Sequence, residues 1–216
     1  MTSPATSRRG GRLPRTARRK QLLAAAQQVF VANGYHAAAM DDIALAAGVS
    51  KPVLYQHFPG KLDLYLALLD VQAESLLAAV TDALAATEDN RQRVHGVLSA
   101  YFDFMDGDGD GAAAPAGSFR LIFETDLGNE PAVRERVVRV VNSTMMAIAD
   151  SVAADTGLDR ASAELLSVAL SGAGQVAARW WLDNARPVPR EQAVRLIENL
   201  LWRGISNFPR QHPADS

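Results

Sequence analysis

Apolar residues recur along most of the chain at the spacing of an α-helix, as in Leu22, Ala26, Val29 and Phe30. The sequence shows no sustained alternation of apolar and polar residues of the kind that is typical of half-buried strands. Capping residues and helix breakers divide the pattern into nine predicted helices. These helices cover residues 15–33, 40–47, 51–58, 61–86, 90–106, 118–127, 130–156, 159–184 and 189–207. The pattern therefore predicts an all-α fold.

The stretch from Met40 onward has the pattern of a short helix with one apolar face. Met40, Ile43, Ala44 and Ala47 follow the i, i+3, i+4, i+7 spacing that turns one face of a helix inward. Gly48 permits a tight exit, because glycine adopts a positive φ without a Cβ penalty. We therefore expect a turn directly after this helix.

A second short helix is predicted after the turn. Ser50 is a favoured N-cap residue, and Pro52 in the first helical turn costs no intrahelical hydrogen bond. Leu54 and Phe58 are four residues apart and are expected to face inward together with Val49. The pattern of the two segments predicts a helix-turn-helix.

The outward face of the second helix combines hydroxyl, amide and basic side chains and contains no acid. It comprises Lys51, Pro52, Val53, Tyr55, Gln56 and His57. Such a surface suits a phosphate-flanked DNA groove, where Gln56 can pair with an adenine edge and Val53 can touch a thymine methyl group. Lys61 begins the next predicted helix, whose N-terminal N–H groups also attract phosphate. The alternative is an αα-hairpin with solvated polar residues.

The charge of the chain is unevenly distributed. Residues 1–66 contain nine Lys and Arg against three acids, so this segment has a net charge of +6, whereas the whole chain has a net charge of -2. This asymmetry indicates an N-terminal module that meets a polyanion. A twin-arginine leader at Arg8 and Arg9 is disfavoured, because Gln27 and Gln28 interrupt the apolar run that follows.

Other classes of function find little support in the composition. The chain has no cysteine and four histidines without metal-ligand spacing, and it lacks the common nucleophile, zinc-protease and P-loop motifs. We therefore expect no enzyme activity, no metal and no cofactor. No uncharged stretch reaches the roughly 18 residues that span a bilayer. The expected location is the cytoplasm, without a membrane partner.

The segment from Arg18 to Leu69, with GYHAAAMDDIALAAGVSKPVLYQHFPGKLDLYLALL at its centre, resembles the DNA-binding region of TetR-family transcriptional regulators. The resemblance implies that Ser50, Lys51, Tyr55, His57 and Lys61 hold DNA phosphates, and that Pro52, Val53 and Gln56 lie nearest to base edges. Ala39 departs from the threonine that the family usually has, which puts one phosphate contact in doubt. The implied partner is double-stranded DNA with a palindromic operator, bound by a homodimer.

The resemblance also implies a division of the chain into functional parts. Residues 1–14 would form a flexible basic arm, 15–60 the helix-turn-helix domain, 61–207 the ligand-binding and dimerisation domain, and 208–216 a flexible tail. The stretch from Leu165 to Ala178 contains no charge and is expected to be buried on more than one side. We interpret its glycines, Gly172 and Gly174, as sites of close helix packing. The last predicted helix carries an apolar stripe suited to a four-helix dimer interface: Leu196, Ile197, Leu200, Leu201 and Ile205.

Several further stretches, including RRGGRLPR, TEDNRQRVH and FRLIFETD, are similar to actinobacterial TetR-type regulators of fatty-acid synthesis genes. That likeness implies a long-chain acyl-CoA effector and gene activation, whereas most of the family represses. The alternative is a repressor of an efflux or other metabolic gene that responds to a different hydrophobic molecule. The candidate ligand chamber is lined by Leu98, Phe102, Met105, Phe119, Ile122, Phe123, Val138, Val141, Met145, Leu166, Leu170 and Trp180. An ordinary close-packed core accounts for their spacing equally well.

Overall fold

The computed structural model describes residues 13–107, 122 and 127–205, and the chain divides into an N-terminal unit, Met1–Tyr65, and a C-terminal unit, Leu66–Ser216. All regular elements within these described residues are α-helices. They are α1 (Arg15–Ala37), α2 (Met40–Ala46), α3 (Lys51–His57), α4 (Lys61–Ala85), α5 (Asn90–Asp106), α6 (Pro131–Thr156), α7 (Arg160–Asp183) and α8 (Arg190–Ile205). The all-α prediction is confirmed. The helix predicted over 118–127 lies outside the described residues except for Ile122 and its last residue.

Helix α1 changes direction at Gly34, which has a φ of 72° inside the helix. Only glycine adopts this conformation without steric cost. The prediction that the first helix ends at residue 33 therefore matches the break, although helical turns continue to Ala37.

The predicted apolar face of α2 is confirmed, because Met40, Ile43, Ala44 and Ala47 are all buried. Gly48 has the expected positive φ, at 63°. Ser50 occupies the N-cap position of α3, but in the described turn its side chain makes no capping hydrogen bond. Its backbone carbonyl instead accepts hydrogen bonds from the N–H groups of Val53 and Leu54, as an N-cap carbonyl does.

In the C-terminal unit, α5 packs against α7 and α8, and α6 packs against α7. Tyr101, Phe102 and Phe104 of α5 are almost fully buried and form the centre of this packing. Two of the helices begin at aspartate caps. Asp89 accepts from the N–H of Gln92, and Asp159 accepts from the N–H of Ser162. These caps satisfy backbone donors that the first helical turn leaves free.

The two glycines of α7 differ in their surroundings. A Cβ atom at Gly174 would lie 3.2 Å from side-chain carbons of both Leu98 and Tyr101, so the predicted close packing holds there. A Cβ atom at Gly172 would meet nothing within 4 Å in the chain. The prediction of close packing at Gly172 is therefore wrong for the single chain.

Helices α4 and α6 have the length and mean hydropathy of membrane-spanning helices. The core helices of water-soluble proteins pass the same test. Helix α6 carries Arg134, Arg136 and Arg139, and the guanidinium of Arg136 pairs with Asp70 at 2.9 Å. Three arginines on one helix, one of them paired with α4, are atypical of a helix that spans a membrane.

Candidate functional site

Helix α3 presents a polar face because its apolar residues anchor the opposite side. Leu54 and, directly after the helix, Phe58 are buried as predicted. Around them the candidate DNA-contacting residues are exposed at Ser50, Lys51, Pro52, Tyr55 and Gln56, and half-buried at Val53, His57 and Lys61. The structure thus brings seven of the eight candidates, from Ser50 to His57, onto or beside one face of a short helix.

Lys51 has an acidic partner on the preceding helix. Its ammonium nitrogen lies 2.5 Å from a carboxylate oxygen of Asp41, and both side chains are exposed. The hydrogen bond and the negative charge of Asp41 raise the pKa of Lys51. The sequence pattern missed this pair, because Asp41 belongs to α2 and not to the outward face of α3.

A cleft of about 430 Å³ separates the start of α1 from α3. It is lined by Leu13, Arg15, Arg18, Val53, Gln56 and His57. Desolvation and, after it, the positive charges of Arg15, Arg19 and Arg18 lower the pKa of His57. Arg15 and Arg18 were absent from the predicted contact residues, although the basic charge of the N-terminal segment was a signal for them.

The basic end of α1 is tied to the helix-turn-helix by defined contacts. Arg18 donates to the side-chain oxygen of Gln21 at 2.7 Å, and Gln21 donates to the carbonyl oxygen of Ala47 at 2.7 Å. The guanidinium of Arg19 lies 4.4 Å from the centre of the Phe58 ring, within cation–π range. These contacts fix the position of the α1 arginines beside α3.

Lys61 directs its ammonium group into the N-terminal unit. It donates to the carbonyl oxygens of Tyr35 at 2.9 Å, His36 at 3.2 Å and Ala38 at 2.9 Å. An ammonium group has three donors, and these carbonyls use all of them. In this geometry Lys61 caps the end of α1, and its predicted phosphate contact would require these bonds to break.

The C-terminal unit contains an apolar cavity of about 330 Å³. Its lining comprises Leu84, Asn90, Arg93, Val94, Val97, Leu98, Ile148, Ser151, Val152, Asp155, Thr156, Leu166, Ala169, Leu170, Leu200, Leu201 and Trp202. Among the predicted chamber residues, Leu98, Leu166 and Leu170 belong to this lining. The residues from α6 that line it are in the C-terminal half of that helix.

The other predicted chamber residues that the structure describes are not among the residues that line the cavity. Phe102, Met105 and Ile122 are buried in the core, and Val141 and Met145 are half-buried. Val138 and Trp180 are 50% and 59% exposed in the chain. Phe119 and Phe123 lie outside the described residues. Helical periodicity identified apolar positions, but it does not reveal which of them border empty space.

A charged pair stands at the polar end of the cavity. Arg93 donates to Asp155 at 2.7 Å and to the side-chain oxygen of Asn90 at 3.1 Å. Its Nε also contacts the carbonyl oxygens of Leu84 at 3.0 Å and Thr87 at 2.7 Å, at the end of α4. The cavity therefore combines an apolar body with one fixed polar edge, the usual make-up of a small-molecule site.

Helices α7 and α8 expose large apolar side chains. Leu165, Val176 and Leu200 are 71%, 70% and 68% exposed, and Val168, Trp180 and Leu196 are also exposed. On α7 the intervals between these residues are multiples of a helical turn, so the side chains share one face. We call the six residues the α7–α8 stripe.

Comparison with known proteins identifies the family to which the chain belongs. Residues 22–68 match the family model described as bacterial regulatory proteins, tetR family. Over 203 residues the chain is 45% identical to the HTH-type transcriptional activator FasR of Mycolicibacterium smegmatis, covering 94% of this chain and 90% of FasR. The chain belongs to the TetR family.

Solved TetR structures share the fold. A TetR-like regulator from Rhodococcus sp. RHA1 superposes with a TM-score of 0.65 at 26% identity, covering 91% of this chain and 100% of that one. FadR from Bacillus subtilis, solved in complex with stearoyl-CoA, gives a TM-score of 0.68 at 18% identity, covering 84% of this chain and 96% of FadR. As a TetR-family protein, the chain is a DNA-binding transcriptional regulator and not an enzyme.

Proposed function

We propose that the chain binds a palindromic DNA operator as a homodimer and regulates genes of fatty-acid metabolism in response to a long-chain acyl-CoA. The observation that carries the regulatory part of this proposal is the 45% identity to the transcriptional activator FasR over nearly the full length of both chains. The acyl-CoA effector is supported by the shared fold of FadR from Bacillus subtilis, which was solved in complex with stearoyl-CoA. A protein of this kind acts in the cytoplasm, where it meets both DNA and acyl-CoA.

The exposed face of α3 is the part of the molecule that supports the DNA contacts. Tyr55 and Gln56 are exposed on a helix narrow enough to enter a major groove, and Arg15 and Arg18 stand beside it. In this proposal the basic and hydroxyl groups hold phosphates, and Pro52, Val53 and Gln56 read base edges. Lys61, whose ammonium group is bound to three backbone carbonyls, has a structural role in this proposal and makes no phosphate contact.

The α7–α8 stripe supports the homodimer. Soluble monomers rarely leave so many large apolar side chains exposed together. Gly172 lies on the same face of α7 as Val168 and Val176, with open space above its Cα atom. A second copy of the helix can therefore approach closely at this point. A twofold dimer presents two reading helices to two operator half-sites.

The apolar cavity of the C-terminal unit supports the effector. An acyl chain fits its lining of aliphatic side chains, and each buried methylene contributes about 0.8 kcal/mol, or roughly fourfold in affinity. Binding should therefore strengthen with chain length until the cavity is full.

The decisive experiment measures binding of the protein to DNA from its own upstream region, with acyl-CoAs of graded length. We expect a retarded complex whose affinity changes with long-chain acyl-CoA and not with short-chain acyl-CoA or free CoA. Failure to bind duplex DNA at low salt would overturn the proposal. A response to unrelated hydrophobic molecules, without any response to acyl-CoA, would overturn the effector assignment and favour the efflux-type regulator.

A further inference from the structure

The cleft between α1 and α3 places one histidine among arginines. His57 and Gln56 come from the end of α3, and Arg15 and Arg18 come from the start of α1. The ring of His57 is half-buried, 6.4 Å from the ring of Phe58, which anchors the end of α3. The cleft therefore has the chemistry of an anion site: two guanidinium groups, an amide and an imidazole around a recess of about 430 Å³.

We propose that this cleft receives a phosphate of the DNA backbone, and that His57 takes up a proton as the phosphate enters. The inference rests on the proposed function, because it assumes that α3 docks on duplex DNA. It adds a property that DNA binding alone does not imply, namely that affinity for DNA depends on pH near neutrality.

The charges around His57 explain why the proton is taken up on binding. From α1, Arg15, Arg18 and Arg19 act on the ring, and together with desolvation they lower its pKa in the free protein. The arginine charges therefore disfavour the imidazolium form of His57 in the free protein. A phosphate in the cleft compensates the arginine charges and accepts a hydrogen bond from the ring, and both effects favour the imidazolium.

Charged groups on the neighbouring helices α2, α3 and α4 are either paired or exposed. On α3 itself the cation of Lys51 pairs with Asp41 of α2. In the first turn of α4 the ammonium of Lys61 is bound to backbone carbonyls. Asp42 and Asp63 are exposed acids of α2 and α4, and the charges that shift the pKa of His57 are those of the three α1 arginines.

Proton uptake gives a defined pH dependence. A group whose pKa is higher in the complex than in the free protein strengthens binding below its bound pKa, and this contribution fades as pH rises. We expect the logarithm of the DNA association constant to fall with rising pH between about pH 5.5 and 7.5, with a limiting slope of about one per His57.

The test compares three forms of the full chain by fluorescence anisotropy with operator DNA, at constant ionic strength and without phosphate buffer. The wild type should show the slope, His57→Gln should lose it, and His36→Gln should keep it. His36 is a matched control, because it is an exposed histidine of the same unit at the end of α1. Thermal unfolding of both variants establishes that each is folded.

A second measurement follows the His57 ring directly by NMR. Its titration midpoint should be higher in the DNA complex than in the free protein, and Arg15→Gln should raise the midpoint of the free protein. Equal midpoints in the free and bound states would overturn the inference, as would a slope that survives in His57→Gln. Tight binding without pH dependence would overturn this inference alone. If the wild type failed to bind duplex DNA at every pH, the proposed function would be overturned as well.

Discussion

The ammonium group of Lys61 lies 2.9 Å from the carbonyl oxygen of Ala38. The same group also donates to Tyr35 and His36, and it lies 4.5 Å from the centre of the Tyr35 ring. A single side chain at the start of α4 thus satisfies the carbonyl groups that follow the break at Gly34. In the folded chain Lys61, which the sequence predicted as a phosphate contact, acts as a structural cap.

Replacement of Lys61 by methionine should destabilise the N-terminal unit. The variant leaves three carbonyl oxygens without their donor, and hydrogen bonds to a charged group contribute about 1.5–3 kcal/mol. We expect a lower thermal unfolding midpoint by circular dichroism. At temperatures where the variant is folded, the dependence of DNA affinity on salt should equal that of the wild type.

Lys20→Met is the control for this prediction, because Lys20 is an exposed basic residue of the same unit. It should leave the unfolding midpoint unchanged. The prediction would be wrong if Lys61→Met kept wild-type stability and reduced the salt slope by about one, since that result indicates a phosphate contact.

Replacement of Asp41 by asparagine should strengthen DNA binding. The carboxylate of Asp41 competes with phosphate for Lys51 at a distance of 2.5 Å. Without it, Lys51 can neutralise a phosphate, so we expect roughly two- to fivefold higher affinity and a steeper salt dependence. Asp42→Asn removes the same charge from the same helix without releasing Lys51. An equal gain from both variants in an anisotropy titration would count against a specific role of the Lys51–Asp41 pair.

Replacement of Val176 by arginine should prevent dimerisation. The side chain is 70% exposed on the α7 part of the α7–α8 stripe, and an unpaired charge buried in an interface there is costly. We expect the mass measured by light scattering to fall from two chains to one. Val71→Arg is the control, because Val71 is an exposed valine of α4 outside the stripe. Two chains per particle in Val176→Arg would contradict this interface.

Local pattern was sufficient to predict most of the fold. The burial of Met40, Ile43, Leu54 and Phe58 follows from helical periodicity, and the positive φ of Gly48 follows from the absence of a side chain. These features depend on neighbours within a few residues, so a single sequence determines them.

Features that join distant segments escaped prediction. The pairing of Lys51 with Asp41 and the capping by Lys61 depend on how the helices meet, which periodicity does not specify. Similarly, Gly172 and Gly174 lie two residues apart in the same helix, but of the two only Gly174 faces α5. The position of the cavity could not be predicted from the sequence either, because a void depends on how the helices pack together and not on any one helix.

Enlargement of Val97 should block the effector. Val97 lines the cavity from α5, so Val97→Phe fills space that an acyl chain would occupy. We expect at least about tenfold weaker binding of a long-chain acyl-CoA, equivalent to the loss of roughly two buried methylenes. Trp202 also lines the cavity, so a change in the tryptophan emission of the chain reports the titration.

Val141→Phe tests whether acyl-CoA binds in the observed cavity or in the chamber predicted from the sequence. Val141 is a half-buried valine of α6 that was a candidate chamber residue but is outside the cavity lining. It should bind acyl-CoA like the wild type. Weak binding in Val141→Phe together with normal binding in Val97→Phe would transfer the effector site to the predicted chamber.

Replacement of Glu198 by glutamine should loosen the attachment of α8 to α5 in a pH-dependent manner. Burial raises the pKa of the Glu198 carboxyl, but the hydrogen bonds from Arg91 at 2.6 Å and His95 at 2.8 Å outweigh it and leave the pKa below its ordinary value of 4.5. A carboxyl with a depressed pKa in the folded state stabilises the fold above its unfolded pKa, and this contribution is lost as pH falls through the folded pKa. We therefore expect Glu198→Gln to lower the free energy of unfolding by about 1–3 kcal/mol at neutral pH and to approach the wild type in acid.

Urea titrations from neutral to acidic pH measure this difference in the free energy of unfolding. Glu191→Gln is the control, because Glu191 is an exposed acid of the same helix, and it should have a smaller effect. A difference for Glu198→Gln that stays constant over this pH range would show that the charge of Glu198 contributes nothing to stability.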